Sequence, residues 1–343
     1  MSTWWLAATL AARIIHVSAS APSGGDGSAE KPLKYVDVAV SQAAEKDVIK
    51  LAAGTYVMPK TTLKLSAEMM LEGGWDPSFQ KRDPIGTPTV LQLAWGQDRP
   101  LVELNGSATL DGVTLEGASA NSYGRAGMLE PSVSRWPSLV RVNRAVNVKV
   151  QNCTLVNSAG HAVSGSIAGA LELANNVMLN TRVSAVSVWG VQQGARVVLR
   201  RNTIAGVWAE KPAGKRGEGV DIQQHLTATL QGNIISAAQG ACVRVGRGNA
   251  TPVLKGNALG PCARGQVMGW PETGGAVVVS DRAVEEAVWL DAAGNTAGAS
   301  LGLTENPLAP APDAGVAPYA PKYTGDPRAL RSDGNMGAAG SVL

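Results

Sequence analysis

The residues best suited to chemistry are concentrated between positions 182 and 225. Basic and acidic side chains alternate there, namely Arg182, Arg200, Arg201, Glu210, Lys211, Lys215, Arg216, Glu218, Asp221 and His225. Basic side chains can exchange protons or hold an anion, and two neighbouring carboxylates can hold a cation. The same composition also fits a solvated, charged loop that does no chemistry.

Other catalytic signals are weak. Trp189 and Trp208 lie beside the charged residues, and they either stack on sugar rings or pack loops onto the body of the protein. No tandem Asp-Asp phrase and no recognisable Ser-His-Asp or Cys-His phrase occurs. We assign His161, in the sequence Ala-Gly-His-Ala-Val, to a turn rather than to a general base.

The chain has three cysteines, and none belongs to a Cys-x-x-Cys motif, which argues against a zinc site. Cys242 and Cys262 are 20 residues apart. They either form a disulfide between adjacent layers, as in an oxidising compartment, or remain buried thiols together with Cys153.

Composition limits the kind of protein that positions these residues. The chain has 343 residues, of which 45% are hydrophobic, 17% charged and only 4% aromatic, so the core must be aliphatic. These values exclude a disordered chain and a disulfide-dense mini-domain. The net charge of +3 is too small to indicate nucleic-acid binding. No apolar run approaches the ~20 residues of a membrane span.

An internal repeat predicts the architecture. A phrase with an apolar residue, two small or polar residues, then Asn or Cys and an apolar pair recurs, aligned at Cys153, Asn176, Asn202, Asn233 and Asn257. These positions are 23, 26, 31 and 24 residues apart, and apolar residues alternate with period two around them. The pattern predicts coils of a parallel β-solenoid. We expect each Asn to adopt left-handed geometry at a bend and to hydrogen-bond from coil to coil, a structural role.

The repeat also predicts the domain organisation. We expect a β-helix domain over 13–304, with side loops at 118–137 and 209–219 that project from one edge, often the binding face. The apolar residues 1–12 are either the remnant of a signal sequence or a cap on the first layer. The Pro-rich residues 305–343 are expected to lie extended against the solenoid.

Two phrases carry a family resemblance. The opening has Asp26-Gly27-Ser28, Pro32, Asp47 and Gly54-Thr55-Tyr56, and a later stretch has Gly73-Gly74-Trp75-Asp76, Phe79 and Arg82-Asp83-Pro84. Both resemble phrases in bacterial proteins of the pectate-lyase-like superfamily, as does the closing segment 333–338. The resemblance implies an all-β fold, a right-handed parallel β-helix with an N-terminal capping helix near 36–45. It also implies secretion or a place on the cell surface.

That superfamily includes both enzymes and non-catalytic surface proteins, so two functions are expected. The first is a non-catalytic extracellular protein, without a cofactor, that binds glycans or copies of itself as an oligomer or filament. Its ligand contacts would come from exposed basic and aromatic side chains, namely Arg182, Trp189, Arg200, Trp208 and Arg216. No nucleic acid and no membrane span are expected.

The alternative function is a polysaccharide lyase that acts on an anionic polysaccharide. The resemblance then implies that Arg201 or Lys215 is the base and that His225 is an auxiliary acid. Glu218 and Asp221 would hold Ca²⁺, which neutralises the acidic sugar, so Asp221 would belong to the catalytic group.

Overall fold

The structure is a computed structural model. It describes residues 12–58, 61–93, 99–117, 138–158, 160–181, 183–207, 217–246, 249, 252–255, 257–260 and 262–269, and the backbone of 277–279 and 296–297. Two hydrogen-bonded sheets run along the molecule. The larger one consists of two rows of parallel strands, sheets 1 and 3, which share two long strands, and the smaller one is sheet 2; the chain passes through sheets 1, 2 and 3 in that order in successive coils. The assignment to the parallel β-helix class is therefore confirmed. No helix in this part of the chain has the length and apolar character to cross a membrane.

Sheet 1 contains the strand that precedes the repeated asparagine. Its strands are β1 (Ile14–Val17), β2 (Val48–Ala52), β5 (Met70–Trp75), β8 (Thr109–Asp111), the second halves of β10 (Ser138–Gln151) and β12 (His161–Ala174), β15 (Ala195–Arg200), β18 (Leu226–Gln231) and β21 (Val253–Lys255).

Sheet 2 follows the asparagine in each coil. Its strands are β3 (Gly54–Met58), β6 (Thr89–Leu93), β9 (Val113–Glu116), β11 (Thr154–Ser158), β13 (Val177–Thr181), β16 (Thr203–Val207), β19 (Ile234–Ala238), β22 (Ala258–Leu259) and β25 (Thr296–Ala297).

Sheet 3 completes each coil. Its strands are β4 (Leu63–Leu65), β7 (Val102–Asn105), the first halves of β10 and β12, β14 (Ser184–Gly190), β17 (Val220–Ile222), β20 (Val243–Val245), β23 (Val267–Gly269) and β24 (Val277–Val279). Only the β23–β24 pair is antiparallel among the described strands. The helix α1 (Val36–Gln42) packs against β1, β2 and β4, with Val36 and Ala39 buried, and so covers the first coil.

Aliphatic residues at equivalent positions form the core. One column on sheet 3 consists of Val140, Val163, Val186, Val220, Val243 and Val267, all in register and all buried. Neighbouring positions along each strand point outward because side chains alternate across a strand. The position of a residue within its coil therefore decides whether it packs in the core or lines the surface.

The repeated asparagines form a hydrogen-bonded ladder between sheets 1 and 2. The Oδ1 atom of Asn202 accepts from the backbone N–H and the side-chain amide of Asn176, each at 3.0 Å. Asn202 donates in the same way to Asn233 at 2.9 Å, and Asn233 donates to Asn257. The backbone N–H of Cys153 donates to Asn176, so the ladder begins there.

The left-handed residue lies one position before Cys153, Asn176, Asn202 and Asn233, not at the aligned position itself as the sequence pattern suggested. Asn152, Asn175, Arg201 and Gly232 have φ values of 54°, 53°, 52° and 63°. The ladder residues stay out of this region because their side chains must point inward, where they satisfy buried backbone groups.

The cysteines divide into two kinds. Cys242 and Cys262 form a disulfide that joins adjacent coils. Cys153 is buried outside any disulfide, and its thiol donates to the carbonyl of Gln151. Residues 1–11, most of the two expected side loops and residues 305–343 lie outside the described residues; 217–219 lead directly into β17.

Candidate functional site

The two inserted segments occur at the same point of the coil repeat. Residues 118–137 follow β9 and residues 208–216 follow β16, so both lie between the end of a sheet 2 strand and the start of a sheet 3 strand. The first strands of sheet 3 between the two insertions begin with polar residues in register, Ser138, His161 and Ser184. The candidate site lies on the outward face of sheet 3, beside the second of these two points of the chain.

A charged cluster lies on that face where the second insertion rejoins the solenoid. Glu218 precedes β17, Asp221 is in β17, and Arg244 is the residue of β20 that pairs with Asp221. The Arg244 guanidinium contacts Asp221 Oδ1 at 2.7 and 2.9 Å, and its Nε lies 3.9 Å from Glu218 Oε1. One guanidinium therefore lies between two carboxyl groups.

Two hydroxyl groups of the preceding coil and an amide of the same coil as Asp221 complete the cluster. Ser184 donates to Glu218 Oε2 at 3.3 Å, and Ser187 donates to Asp221 Oδ2 at 3.2 Å. The Gln223 amide donates to the Ser187 hydroxyl at 2.9 Å. These contacts give Asp221 bonds at both oxygens, as a buried carboxylate requires.

The two carboxyl groups have different environments. Burial raises the pKa of Glu218, and the negative charge of Asp221 raises it further, against an opposing effect of Arg244. Glu218 Oε1 is fully buried and has no hydrogen-bond donor among the described residues. A carboxyl group with a raised pKa beside a second one that is paired with a guanidinium is the arrangement that separates acid from base in many enzyme sites.

The cluster reaches the surface through its neighbours. The Arg244 side chain is 30% exposed, whereas those of Glu218 and Asp221 are 1% and 4% exposed. Gln223 and Trp189 are half-buried and lie side by side on adjacent coils, because Val188 and Ile222, the residues before them, pair in register. Thus an aromatic ring and an amide flank the charged groups.

The cluster does not fit the Ca²⁺ ion of the lyase alternative. Calcium takes six to eight oxygen ligands, several of them ionised. No group of three metal-binding side chains occurs within the described ranges. The guanidinium of Arg244 already supplies the positive charge between Glu218 and Asp221, and burial favours protonated Glu218.

The structure separates the residues that the sequence analysis grouped together. Glu218 and Asp221 are adjacent, on sheet 3. Arg200 and Arg201 lie at the end of sheet 1, in the turn that carries the asparagine ladder, which is a different corner of the solenoid. His225 lies in the turn before β18, with a φ of 59°. These positions do not bring Arg201 or His225 to the carboxyl groups.

The remaining proposed residues divide into two groups. Trp189 is at the edge of the cluster, as described above. Arg182, Trp208, Lys215 and Arg216 lie outside the described residues. His161 is buried in β12 rather than placed in a turn, and its Nδ1 lies 3.1 Å from the carbonyl oxygen of Ser184.

Arg244 was missed by the sequence analysis. Two features of the sequence could have revealed it. Arg244 follows Asp221 by the length of one coil, and it lies between the core residues Val243 and Val245, so its side chain points outward. Ser184 and Ser187 were missed for the same reason. Register between coils, not proximity in sequence, brings the cluster together.

Comparisons with known proteins give structural likenesses only. No family model matches the chain, and no curated protein matches it. Among solved structures, a pectin methylesterase is 10% identical, with a TM-score of 0.41 and coverage of 86% of this chain and 91% of its own. A rhamnogalacturonan lyase is 9% identical (TM-score 0.40; coverage 72% and 76%), and a pectate lyase is 12% identical (TM-score 0.35; coverage 95% and 96%). The fold assignment itself rests on the strand pairing described above.

Proposed function

We propose that this protein is a carbohydrate-active enzyme that cleaves glycosidic bonds at the Glu218–Asp221–Arg244 cluster. The observation that carries the proposal is the pair of carboxyl groups in contrasting environments, one with a raised pKa and one bound to a guanidinium. Glycoside cleavage needs a carboxylic acid that stays protonated near a second, ionised carboxylate. The half-buried Trp189 beside the cluster supports a sugar as the substrate.

Glu218 is the proton donor in this proposal. Because the Glu218 side chain is 1% exposed, the step requires the partly exposed Arg244 side chain to move aside and admit the substrate. The carboxyl proton then passes to the bridging oxygen as the bond between that oxygen and the anomeric carbon breaks, and one sugar leaves as an alcohol. Water then adds to the anomeric carbon and returns a proton to the Glu218 carboxylate, so the residue ends as it began. Burial and the negative charge of Asp221 both raise the pKa of Glu218, and Arg244 holds Asp221 in place.

We also propose that the protein works outside the cytoplasm, at the cell surface or after secretion. The Cys242–Cys262 disulfide supports this proposal, because structural disulfides persist in oxidising compartments.

A non-catalytic protein that binds glycans or associates with itself is the second candidate. The observation that favours it is that both oxygens of Asp221 are hydrogen-bonded. A structural role, in which Asp221 joins β14, β17 and β20, is sufficient to explain these contacts. In that case the cluster stabilises the coils, and its removal changes stability without changing any reaction.

A mutational test separates the two candidates. Wild-type protein is incubated with neutral and uronate polysaccharides, and new reducing ends are measured together with the ultraviolet absorbance of unsaturated products. We expect new reducing ends, reduced about 100-fold or more in Glu218→Gln. Glu103→Gln is the matched control, since Glu103 lies in the same outward column of sheet 3 four coils before Asp221.

Three results would overturn the enzymatic proposal. One is the absence of cleavage by the wild type on every polysaccharide, and another is full activity in Glu218→Gln. The third is an unsaturated product, which would identify elimination in place of hydrolysis.

A further inference from the structure

A basic cleft lies at the corner between sheets 1 and 2, away from the Glu218–Asp221–Arg244 cluster on sheet 3. It encloses about 670 Å³ and spans four successive coils, from Ala174 to Lys255. Arg200, Arg201 and Lys255 line it, and all three side chains are exposed. No carboxylate is among the described residues that line it.

Small residues make this corner concave. Ala174, Arg200, Gln231 and Lys255 occupy equivalent positions in successive coils, so the short side chain of Ala174 leaves space at one end. In the neighbouring column of left-handed residues, Gly232 follows Arg201 and contributes no side chain. The asparagine ladder runs directly beneath both columns and fixes their spacing.

The cations are arranged along the solenoid axis. Arg200 and Lys255 are two coils apart in one column, which corresponds to about 10 Å at the usual distance between neighbouring strands. Among the residues that the structure describes, Glu172 is the one carboxylate paired with these cations, through a contact of 3.4 Å with Arg200 at the edge of the cleft. Like charges held side by side on a rigid surface repel one another, and an anionic ligand relieves that repulsion.

We propose that this cleft is a binding site for an acidic polysaccharide chain that lies parallel to the solenoid axis. Its anionic groups contact Arg200, Arg201 and Lys255, and its hydroxyl groups contact the amides of Asn175 and Gln231. The site goes beyond the proposed enzymatic function, since it shares no residue with the charged cluster on sheet 3. It holds a polymer at a second point on the protein.

A glycan fits the cleft better than a nucleic acid does. Proteins that bind single-stranded nucleic acids stack the bases on aromatic side chains. The described lining of the cleft contains no aromatic side chain, and it combines guanidinium and ammonium groups with amides. This mixture recognises carboxylate or sulfate groups together with sugar hydroxyls.

The test uses a charge-matched pair of variants of the full chain. Arg200→Gln/Lys255→Gln removes two charges from the cleft. Lys149→Gln/Arg196→Gln removes two charges from exposed positions of the same sheet that do not line the cleft. Affinities for polygalacturonate, heparin, neutral dextran and single-stranded DNA are measured by titration at several salt concentrations.

We expect the wild type to bind one or both acidic polysaccharides, to ignore dextran and to bind DNA more weakly. Affinity for the acidic polysaccharide should fall about 10-fold or more in the cleft variant and less than about 3-fold in the control, with a smaller salt dependence for the cleft variant. Comparing polygalacturonate with heparin distinguishes carboxylate from sulfate recognition.

Several outcomes would overturn the inference. They are equal losses in the two double variants, no binding of either acidic polysaccharide, or a preference for DNA. The inference fails independently of the enzymatic proposal: equal losses in the two double variants would remove the cleft alone, and full cleavage activity in Glu218→Gln would remove the sheet 3 site alone, because the two regions share no residue.

Discussion

The two charged regions of this β-helix differ in the burial and the compensation of their charges. In the cluster on sheet 3, Glu218 and Asp221 are buried and one guanidinium lies between them. In the cleft at the ladder corner, Arg200, Arg201 and Lys255 are exposed, and within the described part of the chain only Arg200 has a carboxylate partner. Burial changes the protonation of a group, which suits proton transfer, whereas exposed uncompensated charge attracts a charged ligand.

The same scaffold produces both regions. Equivalent positions of successive coils lie about 5 Å apart, so each outward column can collect side chains that are far apart in sequence. The column of Ser187, Asp221 and Arg244 combines opposite charges, and the column of Arg200, Gln231 and Lys255 combines like charges. The residue types at equivalent positions of successive coils therefore determine whether a region combines opposite charges or like charges.

The largest expected effect tests whether the ladder supports the cleft. Asn202→Ala removes four hydrogen bonds and leaves the buried backbone N–H of Asn176 without the side-chain acceptor that it has in the wild type. We expect the free energy of unfolding to fall by about 3–5 kcal/mol in urea titrations, because each unsatisfied buried group costs about 1–3 kcal/mol.

The control for this variant is Asn143→Ala, which removes an exposed side-chain bond to Asn105. It should change the free energy of unfolding by less than about 0.5 kcal/mol. If both variants lost the same stability, the ladder would not be the element that fixes the corner.

The next effect concerns the charge compensation on sheet 3. Arg244→Met leaves Asp221 buried without its guanidinium partner, so we expect a loss of about 2–3 kcal/mol, less than for a fully buried pair since Arg244 is 30% exposed. Arg244→Met/Asp221→Asn should recover most of this loss in the same denaturation experiment. A double variant no more stable than Arg244→Met would show that the pair does not compensate charge.

The pH dependence of stability gives a smaller effect. The pKa of Glu218 is raised in the folded protein. The contribution of Glu218 to the free energy of unfolding is therefore fully present below its pKa in the unfolded chain, and it is lost as pH rises through its pKa in the folded protein. Glutamine does not titrate, so Glu218→Gln does not lose stability in this way as pH rises. The variant should therefore gain thermal stability relative to the wild type as pH is raised from about 4 to 8. A difference in Tm that is independent of pH would contradict the shift.

The smallest effect sharpens the account of the cleft. Glu172→Gln removes the carboxylate that contacts Arg200, so the affinity for an acidic polysaccharide should increase about 2- to 3-fold, as expected for an exposed ion pair. The titration described for the cleft measures it, with Glu103→Gln as the control. A decrease in affinity would show that Glu172 contributes to binding rather than opposing it.

The sequence was sufficient to predict the architecture and the ladder positions. Every coil must satisfy the same buried backbone groups, so Asn176, Asn202, Asn233 and Asn257 recur at one place in the repeat. The left-handed residue was assigned one position late because asparagine suits both the left-handed bend and the inward hydrogen bond of the ladder. Only the structure shows that one side chain bonds inward while Asn175 before it makes the bend.

The sites were harder to predict because proximity in sequence is a poor guide in a solenoid. Arg201 and Asp221 are less than one coil apart along the chain but lie on different faces. Arg244 and Lys255 belong to later coils, and register brings them next to Asp221 and into line with Arg200. Aligning the outward positions of successive coils is the step that would have revealed both regions.

The most direct test of the account is a carboxyl carbon NMR titration of Glu218 in the folded protein. We predict a pKa above the ordinary value of 4.5, and a lower value in Asp221→Asn, which removes the neighbouring negative charge. Glu103→Gln should leave the titration unchanged. A Glu218 pKa at or below 4.5, or one that does not respond to Asp221→Asn, would contradict the claim that this cluster holds an acid ready to donate its proton.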